Sequence, residues 1–434
     1  MLQPDNLDIA FSIACTLQES GQNRLAESVY RNILYACPDD LPAAHNLGTL
    51  LYAEERFQAA IEQHQSTLLL HPASLATRRD LAQAQIAAGD IAAGIEQLET
   101  ALQLAEANAA QTSPEDVRLC KFTLGLAYLR QENWLKGWPL YEQRWTPAEW
   151  HELTERWGSP WEGASLKGKR LLILAEQGHG DCLMFGRYLA DLADEGLHLE
   201  VLLPLPLLAL FTNSLSAKAN VHFSSSASQK EHDYFVKMGS LPHHGLHPER
   251  QRIHRRPPPP LAIKAEVSRS SHSMLASTLR QQTGRPCCGL VWRGQKNYSA
   301  DNKRSLSLEN LLATLPLRGF NFVSLQIDAT SAEKELLANV GIIDLSDAIN
   351  DFQDTANFIS QLAAVLSVDT ATAHLAGSLG KPLLLLQRQE REWRWGSENE
   401  KNPWYGRCFS TGIKQGKPEA NPKEIASLLE QLIH

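Results

Sequence analysis

AAVLSVDTATAHLAGSLGKPLLLLQRQEREWRW, residues 363–395, decides more of the fold than any other stretch of the chain. Its apolar start ends at Val368 and is short enough for a buried strand. Asp369 and Thr370 follow, two residue types that suit the start of a helix. Small residues from 371 to 379 predict a slim helix, which Gly380 ends and Lys381-Pro382 breaks. Four leucines, 383–386, predict a second buried strand. Such a strand–turn–helix–strand unit leaves free N–H groups and partial positive charge at the helix start, where phosphate or carboxylate commonly binds. The same pattern also describes an ordinary parallel αβ unit whose Asp merely caps its helix.

A chain of 434 residues exceeds one usual core and predicts about two to four domains. With 43% hydrophobic and 21% charged residues, the composition is that of a soluble globular protein. No apolar run reaches the roughly 18 residues that a membrane span needs. The first residues carry acids ahead of their apolar stretch and lack a basic start, unlike a secretory signal. Seven cysteines include the adjacent pair Cys287-Cys288 and no C-x-x-C spacing. They predict reduced core thiols in a cytoplasmic protein rather than disulfides or a zinc site. Residues 1–150 hold 10 Lys/Arg and 19 Asp/Glu, a net of −9 against −8 for the whole chain. An acidic front part disfavours nucleic acid as a partner. The basic group Arg250, Arg252, Arg255 and Arg256 lies beside four prolines and reads as a solvated linker.

The front of the chain repeats. Pro38 and Pro72 lie 34 residues apart, as do Ala26 and Ala60, and Leu47-Gly48 and Leu81-Ala82 keep the step. Tyr30, His64 and Leu98 mark one recurring position. A fourth unit carries Leu124-Gly125, Gly137 and Tyr141 at matching offsets after a nine-residue insertion. Small residues where two helices cross, at this period, resemble the tetratricopeptide repeat, a stack of helix pairs with a binding surface. Six of the ten tryptophans follow closely, Trp134, Trp138, Trp145, Trp150, Trp157 and Trp161. Aromatics of this kind stack on sugars, but they also cement packed elements, and the second account is preferred.

From Leu166 the pattern turns to αβ. LLILAE reads as a strand, Gln177-Gly178-His179-Gly180-Asp181 as a turn, and the next residues through Met184, Tyr188 and Leu192 as one helix. LHLEVLLP continues the sheet. A second αβ domain opens at Cys288-Gly289-Leu290-Val291-Trp292 and proceeds through NFVSLQ and GIIDLS to the stretch quoted first. Two αβ domains in tandem imply a ligand cleft between them.

Three blocks then carry a resemblance: AEQGHGDCLMFGRY (175–188), GLVWRGQKNYSADNKRSLSL (289–308) and SVDTATAHLAGSLGKP with its trailing WRW. Together they resemble bacterial tetratricopeptide-repeat glycosyltransferases, whose catalytic half is similar to the lipopolysaccharide heptosyltransferases and more distantly to protein O-GlcNAc transferase. The resemblance implies an α + α/β chain, an N-terminal TPR α-solenoid followed by a GT-B pair of Rossmann-like domains. Its expected parts are a TPR domain over 1–151, a Trp-rich junction over 152–164 and an acceptor-side Rossmann-like domain over 165–262. A linker helix over 263–285 and a nucleotide-sugar-binding Rossmann-like domain over 286–434 complete it. It implies metal-independent sugar transfer with no cofactor beyond the nucleotide-sugar co-substrate. Asp181 matches the family's catalytic carboxylate and is expected as general base, the alternative being a helix cap. His179 is a weaker candidate for that role. Lys303 and Arg304 fall in a hydrophilic loop, and one of them is expected against the donor phosphates. Asp369, Thr370 and His374 match the donor-binding turn, with Asp369 on sugar or ribose hydroxyls and Thr370 and the helix N–H groups on phosphate, the alternative for His374 being a buried core histidine. Trp292 and Trp393 are expected to flank the nucleotide, each with packing as its alternative. The chain departs from the family at residues 387–392, QRQERE, where an apolar proline-bearing loop is usual, and a charged loop there is expected to bear on donor choice.

The function expected is transfer of a hexosyl or heptosyl group to a protein, flagellin or another surface protein by analogy, or to a glycan, recruited by the repeats. No membrane span or nucleic acid is expected, and self-association is left open. A different class stands beside it: a non-catalytic TPR scaffold with a vestigial GT-B half. A dinucleotide-dependent oxidoreductase is disfavoured, because no G-x-G-x-x-G follows a strand.

Overall fold

The computed structural model describes residues 4–176, 178–226, 232–244, 284–294, 304–388, 390–396, 402–414 and 417–434. Two compact units make up the chain: Met1–Thr146 with Gln389–Trp393, and Pro147–Arg388 with Arg394–His434. The expected linker helix over 263–285 falls almost wholly outside the described residues, as do Lys303 and the arginines at 250–256.

The first unit is a run of helix pairs: α1 (Pro4–Glu19), α2 (Asn23–Ala36), α3 (Leu41–Ala53), α4 (Phe57–Leu70), α5 (Leu75–Ala87), α6 (Ile91–Ala107), α7 (Pro114–Arg130) and α8 (Trp134–Tyr141). Side chains start these helices where the sequence offers them. Asp40, Ser74, Asp90 and Ser113 each accept from the backbone N–H three residues on. The turn inside each pair passes through one left-handed residue, Gly21, Glu55, Gly89 and Glu132, so the 34-residue step and the insertion recur in the backbone. Ala26, Ala60, Tyr30, His64 and Leu98 are all fully buried where the helices cross. At one crossing, a Cβ on Gly48 would stand 2.3 Å from the His64 ring, so only glycine lets that ring in. Residues 390–393 belong to this unit. The Tyr52 hydroxyl donates to Glu390, and the Trp393 ring meets Trp138 and Tyr141 with centroids 5.7 and 5.8 Å apart.

The second unit begins with α9 (Pro147–Trp157) and holds two sheets. The first sheet is built from β1 (Arg170–Leu174), β2 (His198–Leu202), β3 (Val221–Ser224) and β4 (Tyr234–Lys237), in the order β3-β2-β1-β4. Between β1 and β2 the single expected helix is two, α10 (His179–Phe185) and α11 (Arg187–Asp194). They break at Gly186, where a Cβ would lie 2.5 Å from Phe211, a residue of α12 (Leu205–Ser214). A short helix, α13 (Leu241–His244), follows β4.

The second sheet contains β5 (Cys287–Val291), β6 (Asn321–Ser324), β7 (Ile343–Asp344), β8 (Ala364–Val368), β9 (Leu383–Arg388), β10 (Cys408–Lys414) and β11 (Lys417–Pro418). Its helices are α14 (Leu308–Leu312), α15 (Ser331–Asn339), α16 (Phe352–Gln361), α17 (Ala371–Ser378) and α18 (Pro422–Ile433). The order β11-β10-β9-β8-β5-β6-β7 is parallel except at the β10–β11 edge. Its six parallel strands follow the 3-2-1-4-5-6 order of a Rossmann sheet. Covered on both faces, β5 and β8 are buried at every position, which explains their unbroken apolar runs. Each leucine of β9 from 383 to 386 is buried and contributes about 1.5–3 kcal/mol. The last helix, whose path the sequence left open, starts with a capping box between Asn421 and Glu424 and adds Ile425, Leu429 and Leu432 to the core of this second sheet. Among the described residues no helix is long and apolar enough to cross a membrane, and all seven cysteines are free thiols.

Candidate functional site

Open αβ sheets bind ligands beyond the carboxyl ends of their strands, where neighbouring strands send their connections in opposite directions. That point lies between β1 and β4 in the first sheet and between β5 and β8 in the second. The chain leaving β1 reaches Asp181 in the first turn of α10, and the chain leaving β8 reaches Asp369 just before α17. These two helices pack against each other. Where they meet, a Cβ on Gly180 would lie 2.7 Å from Cδ2 of His374 and 3.6 Å from Cα of Ala371. Topology therefore brings the two expected carboxylates to one cleft.

Arg394 stands over Asp181, with Nε and Nη2 donating to the same Oδ1 at 2.8 and 2.7 Å. Gly178 leaves room for the other oxygen, since a Cβ there would come within 3.2 Å of Oδ2. Across the cleft, burial pushes the Asp369 carboxyl above the usual range, and Arg304 is the main charge opposing that rise. The Trp395 indole and Arg394 pull the same way as Arg304, whereas Asp181 adds to the rise. About a quarter of the Asp369 side chain, 24%, still meets solvent.

His374 lies behind Asp369, its Nε2 4.0 Å from Oδ1. Its Nδ1 and the Tyr405 hydroxyl share a hydrogen bond of 2.8 Å, and its ring stacks on Trp395 at 4.4 Å. Burial drives its pKa far below the ordinary histidine value, reinforced by Arg394, Arg187 and Arg304. The ring is thus neutral, held in place, and unsuited to act as a cation for phosphate. Arg187 completes the back of the cleft. Its Nε donates to Met184 O at 2.8 Å and its Nη1 to Trp404 O at 3.2 Å, while the guanidinium covers the Trp404 and Tyr405 rings.

Several expected site residues lie elsewhere or are already engaged. The Thr370 hydroxyl caps α17 by accepting from Ala373 N and shares a hydrogen bond with Ser367, so it serves the helix first. Trp292 is wholly buried and its indole N–H donates to Glu333 at 2.9 Å, which is the packing alternative. Trp393 is seated among Trp138 and Tyr141 in the repeat unit, which is its packing alternative. Of the charged loop, residues 390–392 group with the repeat unit. His179 is partly buried, its ring edge-on to Phe352 at 5.3 Å. Of the tryptophan cluster, Trp134 and Trp138 stack on each other, Trp150 packs on Phe235, and Trp161 donates to Ala164 O, all packing roles. Sequence reading missed Arg394, Tyr405 and Arg187. The one signal was a cation between two aromatics in Trp393-Arg394-Trp395. Among the described residues, no group of three or more His, Cys, Asp or Glu side chains is arranged to hold a metal ion.

No family model matches the chain. It is 27% identical over 442 residues to Protein FlbA of Caulobacter vibrioides, a match covering 95% of this chain and 71% of that protein. It is similar to the crystal structure of the glycosyl transferase family 9 protein from Veillonella parvula, with 10% identity and a TM-score of 0.44, over 63% of this chain and 99% of that one. A crystal structure of MamA protein is similar to the repeat part, with 21% identity and a TM-score of 0.28, over 32% of this chain and 72% of that one.

Proposed function

We propose that the chain is a glycosyltransferase that moves a sugar from a nucleotide-sugar donor to a protein or glycan acceptor, without a bound metal ion. One observation carries the proposal: the carboxylates at the two switch points, Asp181 and Asp369, meet in a single cleft together with Arg394 and Arg304. In the reaction, an acceptor oxygen bonds to the anomeric carbon as the bond to the donor diphosphate breaks. Asp181 takes the acceptor proton, and Asp369 holds hydroxyls of the sugar or ribose. Negative charge gathers on the departing diphosphate, where one of Lys303 and Arg304, together with the first N–H groups of α17, meets it. Arg394 orients Asp181 until the acceptor arrives. A protein acceptor is preferred over a glycan, since repeat surfaces hold extended peptides. A surface protein such as flagellin, met in the cytoplasm before export, fits this scheme by analogy.

The test is a thermal-shift panel of nucleotide sugars and free nucleotides on the wild type and Asp369→Ala. A donor should raise the wild-type melting temperature by a few degrees and leave the variant unmoved. Asp181→Asn should keep the donor shift and lose about 10²-fold or more in turnover, and a chelator should leave turnover unchanged. No shift with any donor would sink the transferase and favour the scaffold.

A further inference from the structure

Four residues of the chain already sit on the repeats as a ligand would. Glu390 accepts from the Tyr52 hydroxyl across 338 positions of sequence. Trp393, 4% exposed, fills a slot between Trp138 and Tyr141. Arg130, at the end of α7, stands within electrostatic reach of Arg391, a like charge, and of both Glu390 and Glu392, which attract it. The seat therefore runs from the second repeat, which supplies Tyr52, to the fourth, which supplies Arg130, Trp138 and Tyr141. It offers a phenol donor, a cation and an aromatic slot, and an extended tetrapeptide reaches about 13 Å along such a face. Only Trp393 is buried, while residues 390–392 stay half-exposed. One aromatic anchor flanked by wet charged contacts is how a peptide surface is built, not a core.

We propose that this repeat face is a docking surface for an extended polypeptide carrying an acidic residue three positions before a tryptophan or similar aromatic, and that the chain's own Glu390-Arg391-Glu392-Trp393 occupies it until such a peptide displaces it. Tethering lets a weak ligand hold the seat. At an effective concentration of about 1 mM, a segment of intrinsic Kd about 100 μM is bound roughly nine-tenths of the time and weakens a competitor about tenfold. Trp393 adjoins Arg394 in the chain, so displacement draws on the residue that holds Asp181. The peptide's role as acceptor rests on the transferase reading, whereas its binding to this face does not.

The experiment titrates a labelled peptide copying residues 386–396, LQRQEREWRWG, into the full-length chain and follows fluorescence anisotropy. Trp393→Ala, which empties the seat, should bind it about tenfold tighter than the wild type. Glu390→Gln, which leaves the buried tryptophan and hence the packing in place, should bind it about threefold tighter. Peptides with the glutamates changed to glutamine, or the first tryptophan to alanine, should lose that gain. Equal binding to wild type and both variants, or indifference to the peptide's tryptophan, overturns the proposal. Peptide binding in this pattern by a chain whose wild type never consumes a nucleotide sugar would leave the docking surface and remove the transferase. Sugar transfer by a chain whose wild type and variants bind the peptide equally would do the reverse.

Discussion

A Cβ on Gly180 would stand 2.7 Å from Cδ2 of His374, and that ring is held on two sides, by the Tyr405 hydroxyl and by the face of Trp395. Alanine at 180 therefore has to push α10 away from α17, and Asp181 is the next residue along. Gly180→Ala should cost about 1–3 kcal/mol by overpacking, read from the urea midpoint. It should also lower turnover more than it weakens donor binding, because the displaced group is the proposed base. Wild-type stability and turnover would show that the two helices separate freely. In the sequence Gly180 was legible as a turn glycine beside a candidate carboxylate. What makes glycine necessary there is a ring from the other αβ half, and no local pattern carries that. Arg394 was hidden for the same reason, as its partner Asp181 becomes a neighbour only after the halves fold together.

The repeat elements were more legible, because their period is set by contacts between adjacent helices. Small residues at helix crossings and capping side chains at helix starts are local requirements that recur with every turn of the solenoid. One position breaks the chemistry while keeping the geometry. His64 stands where the other repeats have Tyr30 and Leu98, and neither of its ring nitrogens has a hydrogen-bond partner among the described residues. Burial lowers its pKa from 6.5 to about 4, with His45 reinforcing the fall and Asp80 opposing it. A histidine that titrates lower in the folded chain binds its proton more readily when unfolded. Stability is then full above pH 6.5 and is lost progressively as the pH falls toward 4, by about 3 kcal/mol in total. His64→Leu has no such proton to take up. Its urea midpoint relative to wild type should rise steadily between pH 6.5 and 4, and a constant difference would show that His64 does not titrate with unfolding.

At the scale of the whole chain, sheet order was the least legible property and the most informative one. Apolar runs located the strands, but only the folded sheets show which strands become neighbours, and hence that Asp181 and Asp369 both follow a switch-point strand. The two αβ halves share one compact unit, and Arg187 is one of the residues that join them. From α11 it reaches the Trp404 carbonyl, covers the Tyr405 ring, and through Tyr405 and His374 backs Asp369. Removing such a group leaves carbonyls without a donor and a gap between the rings, at a cost of about 2–4 kcal/mol for Arg187→Ala. Arg187→Met keeps most of the volume and should cost about half as much, which separates packing from hydrogen bonding. Lysine should not restore the wild type, because a single ammonium cannot reach both carbonyls and lie flat on two rings. If His374 and Asp369 are positioned through this chain, both variants should also weaken the donor-induced thermal shift although Arg187 touches no donor. A full shift in Arg187→Met despite lowered stability would confine Arg187 to joining the halves and leave the orientation of Asp369 to Arg304 and Trp395.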